Sequence, residues 1–153
     1  MRYVDAEIGR LLEALEDRGR LDGTLVVLMT DHGEQLIDHG QIGHGLDLYT
    51  EETRAVAGFW SPGLEAMAWG GPTSHPDLLP TALDALGWVV EYPMAGALLG
   101  DAAEDRAVFV QRYQGDESVM SVRVGDDKLI YDWTSGVTLF DLAADPGEFE
   151  DRA

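Results

Sequence analysis

The chain has 153 residues, 45% of them hydrophobic, which suits one domain with a packed core or a domain with a small appendage. Its 29 acids against 10 bases give a formal net charge of −19, a surface that repels phosphate backbones and anionic membranes, so neither nucleic acid nor a membrane is an expected partner. There is no cysteine, which excludes disulfides, thiolate metal sites and a cysteine nucleophile, and no apolar run approaches the ~20 residues of a membrane helix.

Tyr3 to Arg18 carries Val4, Ile8, Leu11, Leu12 and Leu15 at helical spacing, with Gly19 as its stop. Asp22-Gly23 turns the chain into the run Leu25–Met29. A strand apolar on both faces suggests cover on both sides, as in a parallel sheet with helices. Thr30-Asp31-His32-Gly33-Glu34 follows at the strand's carboxyl end, where open α/β sheets place their ligands. Gly40, Gly43 and Gly45 make a permissive loop around His39 and His44, and Leu46–Glu52 suits a short helix. Ala55–Trp60 reads as a second core strand. His75-Pro76-Asp77 leads into a helix over Leu78–Leu86, and Trp88–Asp101 is a connection. From Ala107 the period changes to two, with turn signals at Gly115-Asp116, Gly125-Asp126 and Ser135-Gly136. Four antiparallel strands are predicted at about 107–113, 118–124, 127–132 and 137–141, with the apolar alternation on Val108, Val110, Met120, Val122 and Val124. The change near residue 103 marks a domain boundary.

Asp31 and His32 suit a divalent cation, the carboxylate supplying charge and the imidazole a neutral donor. Read alone, the pair serves equally as a helix cap beside a half-buried polar residue. Near a metal, His39 and His44 stabilise an oxyanion or protonate a leaving group; away from one they are hydrogen-bonded loop residues. Glu34 suits an orienting role on His32. His75 reads as helix-entry chemistry, and Asp145-Pro146-Gly147-Glu148 as a turn and no more. No residue stands out as a nucleophile, and Ser74, with Pro76 two places on, has Leu78 where an arginine would be needed.

Taken together, Arg2-Tyr3-Val4-Asp5, Thr30-Asp31-His32-Gly33-Glu34, Asp38-His39-Gly40, Gly43-His44-Gly45, Leu48-Tyr49-Thr50-Glu51-Glu52 and Asp77-Leu78-Leu79-Pro80-Thr81 resemble the second half of a sulfatase. Lys128-Leu129-Ile130-Tyr131, Leu139-Phe140-Asp141-Leu142 and Asp145-Pro146-Gly147-Glu148 continue the likeness in family order. The resemblance implies an α/β fold: residues 1–103 as the C-terminal part of an alkaline-phosphatase-like catalytic domain, and 104–153 as a small antiparallel-sheet subdomain. It implies hydrolysis of sulfate esters with a divalent metal ion, calcium in the first place and manganese or zinc as alternatives. It also implies a formylglycine made from a Cys/Ser-x-Pro-x-Arg motif that this sequence lacks. Carried across by position, Asp31 and His32 match metal ligands, and His44 and His39 match anion-contacting, catalytic positions. The chain is then expected to be an excised C-terminal piece, inactive alone, with homodimerisation through the surface so bared. A phosphodiesterase or phosphonate monoester hydrolase of the same superfamily, and a non-catalytic assembly module, are the rival readings.

Overall fold

The computed structural model describes residues 2–65, 68–114 and 117–153. Helix α1 (Arg2–Asp17) ends where expected. Gly19 takes φ +62°, and Arg20 N–H donates to Leu15 O at 2.9 Å, the wrap-around bond of a Schellman motif. No residue of α1 is buried, so its apolar stripe lacks a full partner among the described residues. Strand β1 (Val26–Met29) follows a 3-10 turn over Leu21–Gly23. A hairpin of two-residue strands, β2 (Gln35–Leu36) and β3 (Ile42–Gly43), then precedes the short helix α2 (Thr50–Thr53) and strand β4 (Ala57–Trp60).

Strand β1 pairs with β4 antiparallel, Val26 opposite Trp60 and Met29 opposite Ala57. This corrects the expectation of a parallel, doubly covered strand: Val27, Leu28 and Met29 are exposed. The run is apolar on both faces, yet among the described residues β1 pairs only with β4 and its side chains from Val27 to Met29 stay exposed.

Helix α3 (Leu78–Ala85) is entered through a 3-10 turn over His75–Asp77. Asp77, only 1% exposed, is the knot of this region. Its carboxylate accepts from Ser74 N–H at 2.8 Å, from Ala97 N–H at 2.9 Å and from the Arg106 guanidinium at 2.8 Å. Ser74, in the one Ser-x-Pro sequence, is thus committed to capping. Burial would raise the Asp77 carboxyl, but Arg106 and the amide donors outweigh it and hold it below the ordinary value of 3.8. The sign follows: a lowered native pKa gives stability that is full above the unfolded value and is lost as pH falls through the native one. Urea midpoints measured at descending pH should drop below pH about 4, more shallowly in Asp77→Asn.

The second half is an antiparallel meander in sequence order: β5 (Ala107–Gln114), β6 (Glu117–Val124), β7 (Asp127–Asp132) and β8 (Gly136–Asp141). These strands lie where the period-two runs put them; the Gly115-Asp116 turn lies outside the described residues. On β6 the buried face, however, is the opposite one from the apolar alternation, whereas on β5 Val110, paired with Ser121, lies on the buried face as the alternation has it. Val119, Ser121, Lys128, Ile130 and Phe140 are buried, whereas Met120 and Val124 are exposed. Leu48 closes the small core over Val119, Ile130 and Phe140, with Tyr49, Val110 and Leu142 packed against it. The sheet thus turns a face containing a lysine toward the loop that carries the histidines. Among the described residues no helix is long and apolar enough to cross a membrane.

Candidate functional site

The corner after β1 is built on α2. Gly33 N–H donates to Glu52 O at 2.7 Å, and a Cβ on Gly33 would lie 2.0 Å from Glu51 O and 3.0 Å from Arg54 O. The glycine is needed for this close backbone approach, not for a left-handed turn. The His75 ring donates to Thr30 O at 2.8 Å, so a residue read as helix entry also pins the end of β1.

On this seat, His32 Nδ1 lies 2.7 Å from Gly33 O. A carbonyl only accepts, so Nδ1 carries the proton and the neutral ring offers its lone pair at Nε2. That atom is 3.6 Å from Asp31 Oδ2. The Gly33 carbonyl, more than the nearby charges of Asp31, Glu34 and Glu52, raises the His32 pKa above 6.5 despite some desolvation. The His44 ring centroid lies 4.3 Å from that of His32, tilted by 38°. Glu34 accepts from His44 Nδ1 at 3.2 and 3.3 Å, which orients His44 rather than His32; among the described residues His44 Nε2 has no hydrogen-bond partner. Asp31, His32 and His44 therefore share one exposed corner, with Glu34 beside them.

The His44 loop is held by a buried carboxylate the sequence did not single out. Glu52, 4% exposed, accepts from Gly45, Leu46 and Asp47 N–H at 3.2, 3.1 and 3.4 Å. Arg112 of β5 donates to Gly45 O, and Gln35 of β2 donates to Asp47 at 2.5 Å. One short helix thus seats both arms of the site, Gly33 through its backbone carbonyls and the His44 loop through Glu52.

His39 keeps different company. Its ring lies flat on Tyr49, centroids 3.7 Å apart and planes within 3°, with Phe149 at 4.9 Å on it as well. Nδ1 meets Glu51 Oε1 and Nε2 meets Glu148 O at 3.2 Å, so neither nitrogen is left for a substrate in this arrangement.

Glu148, read as part of a simple turn, is instead a buried anchor at φ +57°. Its carboxylate pairs with Lys128 Nζ at 2.6 Å and accepts from Thr50 N–H at 2.5 Å. The chain's single lysine, facing inward from β7 in so acidic a sequence, was the available signal for this pair.

A divalent ion of the kind implied by the resemblance needs about four to eight donors. Among the described residues no group of three or more acidic or histidine side chains converges to hold one unaided. Asp31 and His32 offer a carboxylate and an imidazole whose other nitrogen is fixed by a carbonyl, the support ligating histidines usually have. They fit as one arm of a metal site.

A family model described as Sulfatase matches residues 1–88. The uncharacterized sulfatase YidJ of Escherichia coli (strain K12) is 33% identical over 157 residues, an alignment that takes in 95% of this chain and 31% of YidJ. Among solved structures, BT4656 in complex with its substrate D-glucosamine-2-N,6-O-disulfate superposes with a TM-score of 0.74 at 30% identity, covering 97% of this chain and 33% of that one. The phosphonate monoester hydrolase of Agrobacterium radiobacter superposes at 0.73 with 24% identity over 97% of this chain and 34% of that one, a likeness of fold. The chain spans about a third of the length of such relatives.

Proposed function

The chain belongs to the sulfatase family, and we propose that it is the C-terminal part of a metal-dependent hydrolase of sulfate esters. The observation that carries this reading is the placing of Asp31, His32 and His44 on one corner, each imidazole fixed through Nδ1 with Nε2 left open. Asp31 and His32 hold the cation together with ligands from the rest of the enzyme. When bound, the cation supplies positive charge that screens the sulfate and favours nucleophilic attack at sulfur. His44, its Nδ1–H held by Glu34, points Nε2 at the anion; protonated, it donates to a sulfate oxygen and then to the departing alkoxide. The nucleophile, a formylglycine in this reading, comes from the remainder of the parent.

The exposed apolar side chains support the partial-chain reading. Val27, Leu28 and Met29 on β1, and Val4, Ile8 and Leu11 on α1, form surface that a finished α/β domain covers. The remainder of the enzyme covers it in the parent; in the isolated chain it drives self-association into a homodimer. A phosphonate or phosphodiester substrate is the second reading, favoured by the fold shared with the Agrobacterium radiobacter enzyme and by the Asp-His pair.

The isolated chain should hydrolyse no aryl sulfate, and the full-length parent should. In the parent, Asp31→Ala should lose the metal by elemental analysis and lower turnover by more than about a hundredfold. Unchanged metal content would remove Asp31 from the ligand set. Turnover by the isolated chain, with contaminating enzyme excluded, would refute the partial-site reading. Parallel assays with phosphonate esters separate the two substrate classes.

A further inference from the structure

We propose that His39 is a positioning residue, held as an imidazolium, whose protonation locks α2 to the C-terminal turn and so holds the His44 loop in place. The geometry suits a charged ring. Glu148 O is a carbonyl and only accepts, so Nε2 carries a proton; an ionised Glu51 also only accepts, so Nδ1 carries one too. The cation lies flat on Tyr49 with Phe149 against it, which favours the charged ring.

The groups around it are few. Glu51 comes from α2, and Tyr49 precedes it. Phe149 and the backbone of Glu148 come from the C-terminal turn, while the Glu148 carboxylate is turned onto Lys128. Asp47 is also near: burial and the charge of Glu52 hold its carboxyl above the ordinary 3.8, with the His39 ring acting weakly the other way. Burial opposes the charge on His39, but the bonds to Glu51 and Glu148 outweigh it and the pKa stands above 6.5.

The lock matters because of what α2 carries. Thr50 N–H is tied to Glu148, Gly33 sits on the carbonyls of Glu51 and Glu52, and the Glu52 side chain gathers the amides of 45–47. Losing one proton leaves a lone pair of His39 facing an oxygen, and the turn and the helix end part company. Because the native pKa is raised, this stabilisation is complete below about 6.5 and is lost as pH rises through the native value.

The inference rests on the proposed function only for what the His44 loop does; its test is structural and stands if the catalytic reading fails. Amide exchange of the chain, corrected for intrinsic rates, is followed by NMR at Leu46, Asp47 and Thr50 from about pH 5.5 to about pH 8.5, with the His39 ring titrated alongside. Protection at these amides should fall by about threefold or more across the ring's titration, a displacement of one pH unit on folding being worth about tenfold. In His39→Gln the step should vanish. In Glu51→Gln, which keeps an acceptor without the charge, it should move to lower pH. A His39 ring titrating at or below 6.5, protection unchanged with pH, or the same step in His39→Gln would each overturn the proposal. Should His39→Gln not fold, an unmoved step in Glu51→Gln would do so.

Discussion

Gly33→Ala is expected to destabilise the chain by about 3 kcal/mol or more and to unseat the Asp31–His32 arm. The new methyl would meet the carbonyl oxygens of Glu51 and Arg54, which are backbone atoms and cannot rotate away as a side-chain tip would. Relief requires breaking the 2.7 Å bond from Gly33 N–H to Glu52 O, which leaves a backbone donor to be satisfied elsewhere. Gly9→Ala supplies the contrast. It lies mid-helix in α1 with nothing within 4 Å of the added atom, so it should stabilise by about 0.5–1 kcal/mol. Urea denaturation of both variants checks the pair, and equal midpoints would show that the corner is not seated on α2 as described.

The second large effect belongs to the Lys128–Glu148 pair. Both side chains are nearly inaccessible, so removing either partner leaves a charge without water or counter-ion. Lys128→Met and Glu148→Ala should each cost about 3–5 kcal/mol. Glu148→Ala also leaves Thr50 N–H without its acceptor and should be the worse of the two. The double variant should cost well under the sum, because no lone charge then remains buried. Burial pulls the Lys128 pKa below its ordinary value while Glu148 pushes the other way, as expected of a cation stabilised by its partner rather than by solvent. Additive losses in the double-mutant cycle would mean the two charges do not depend on each other.

How far the fold was legible depends on the kind of signal. The period-two runs placed all four strands of the meander, and the apolar stripe of α1 with Gly19 placed its end, because local pattern alone fixes such elements. The buried side of β6 was not legible because its face carries Ser121 and, beside it on β7, Lys128, a group that goes inward only when Glu148 and Thr50 come from far along the chain to meet it. The cover over β1 was not legible for the converse reason: its apolar sequence suits neighbours that the described residues do not supply. At the site, Asp31 and His32 were visible at the end of a strand and His44 in the glycine-rich loop after it, and the structure sets them on one corner. Glu52, Glu148 and the backbone contact of Gly33 were not visible. Nothing in a local window distinguishes a buried carboxylate gathering amides from one of the many acids on the surface.

The meander and the contacts of Glu148 with Thr50 and His39 also differ in when they can form. Each strand of β5–β8 pairs with its sequence neighbour, so the sheet can zip up through short loops at small entropic cost. The bonds from Glu148 to Thr50 and to His39 join residues 98 and 109 positions apart, and they reward the chain only after the sheet and the hairpin already exist. The meander is thus the early structure and the histidine corner the late one, so competence at the corner is the last thing this chain acquires as it folds and the first it gives up as it begins to open.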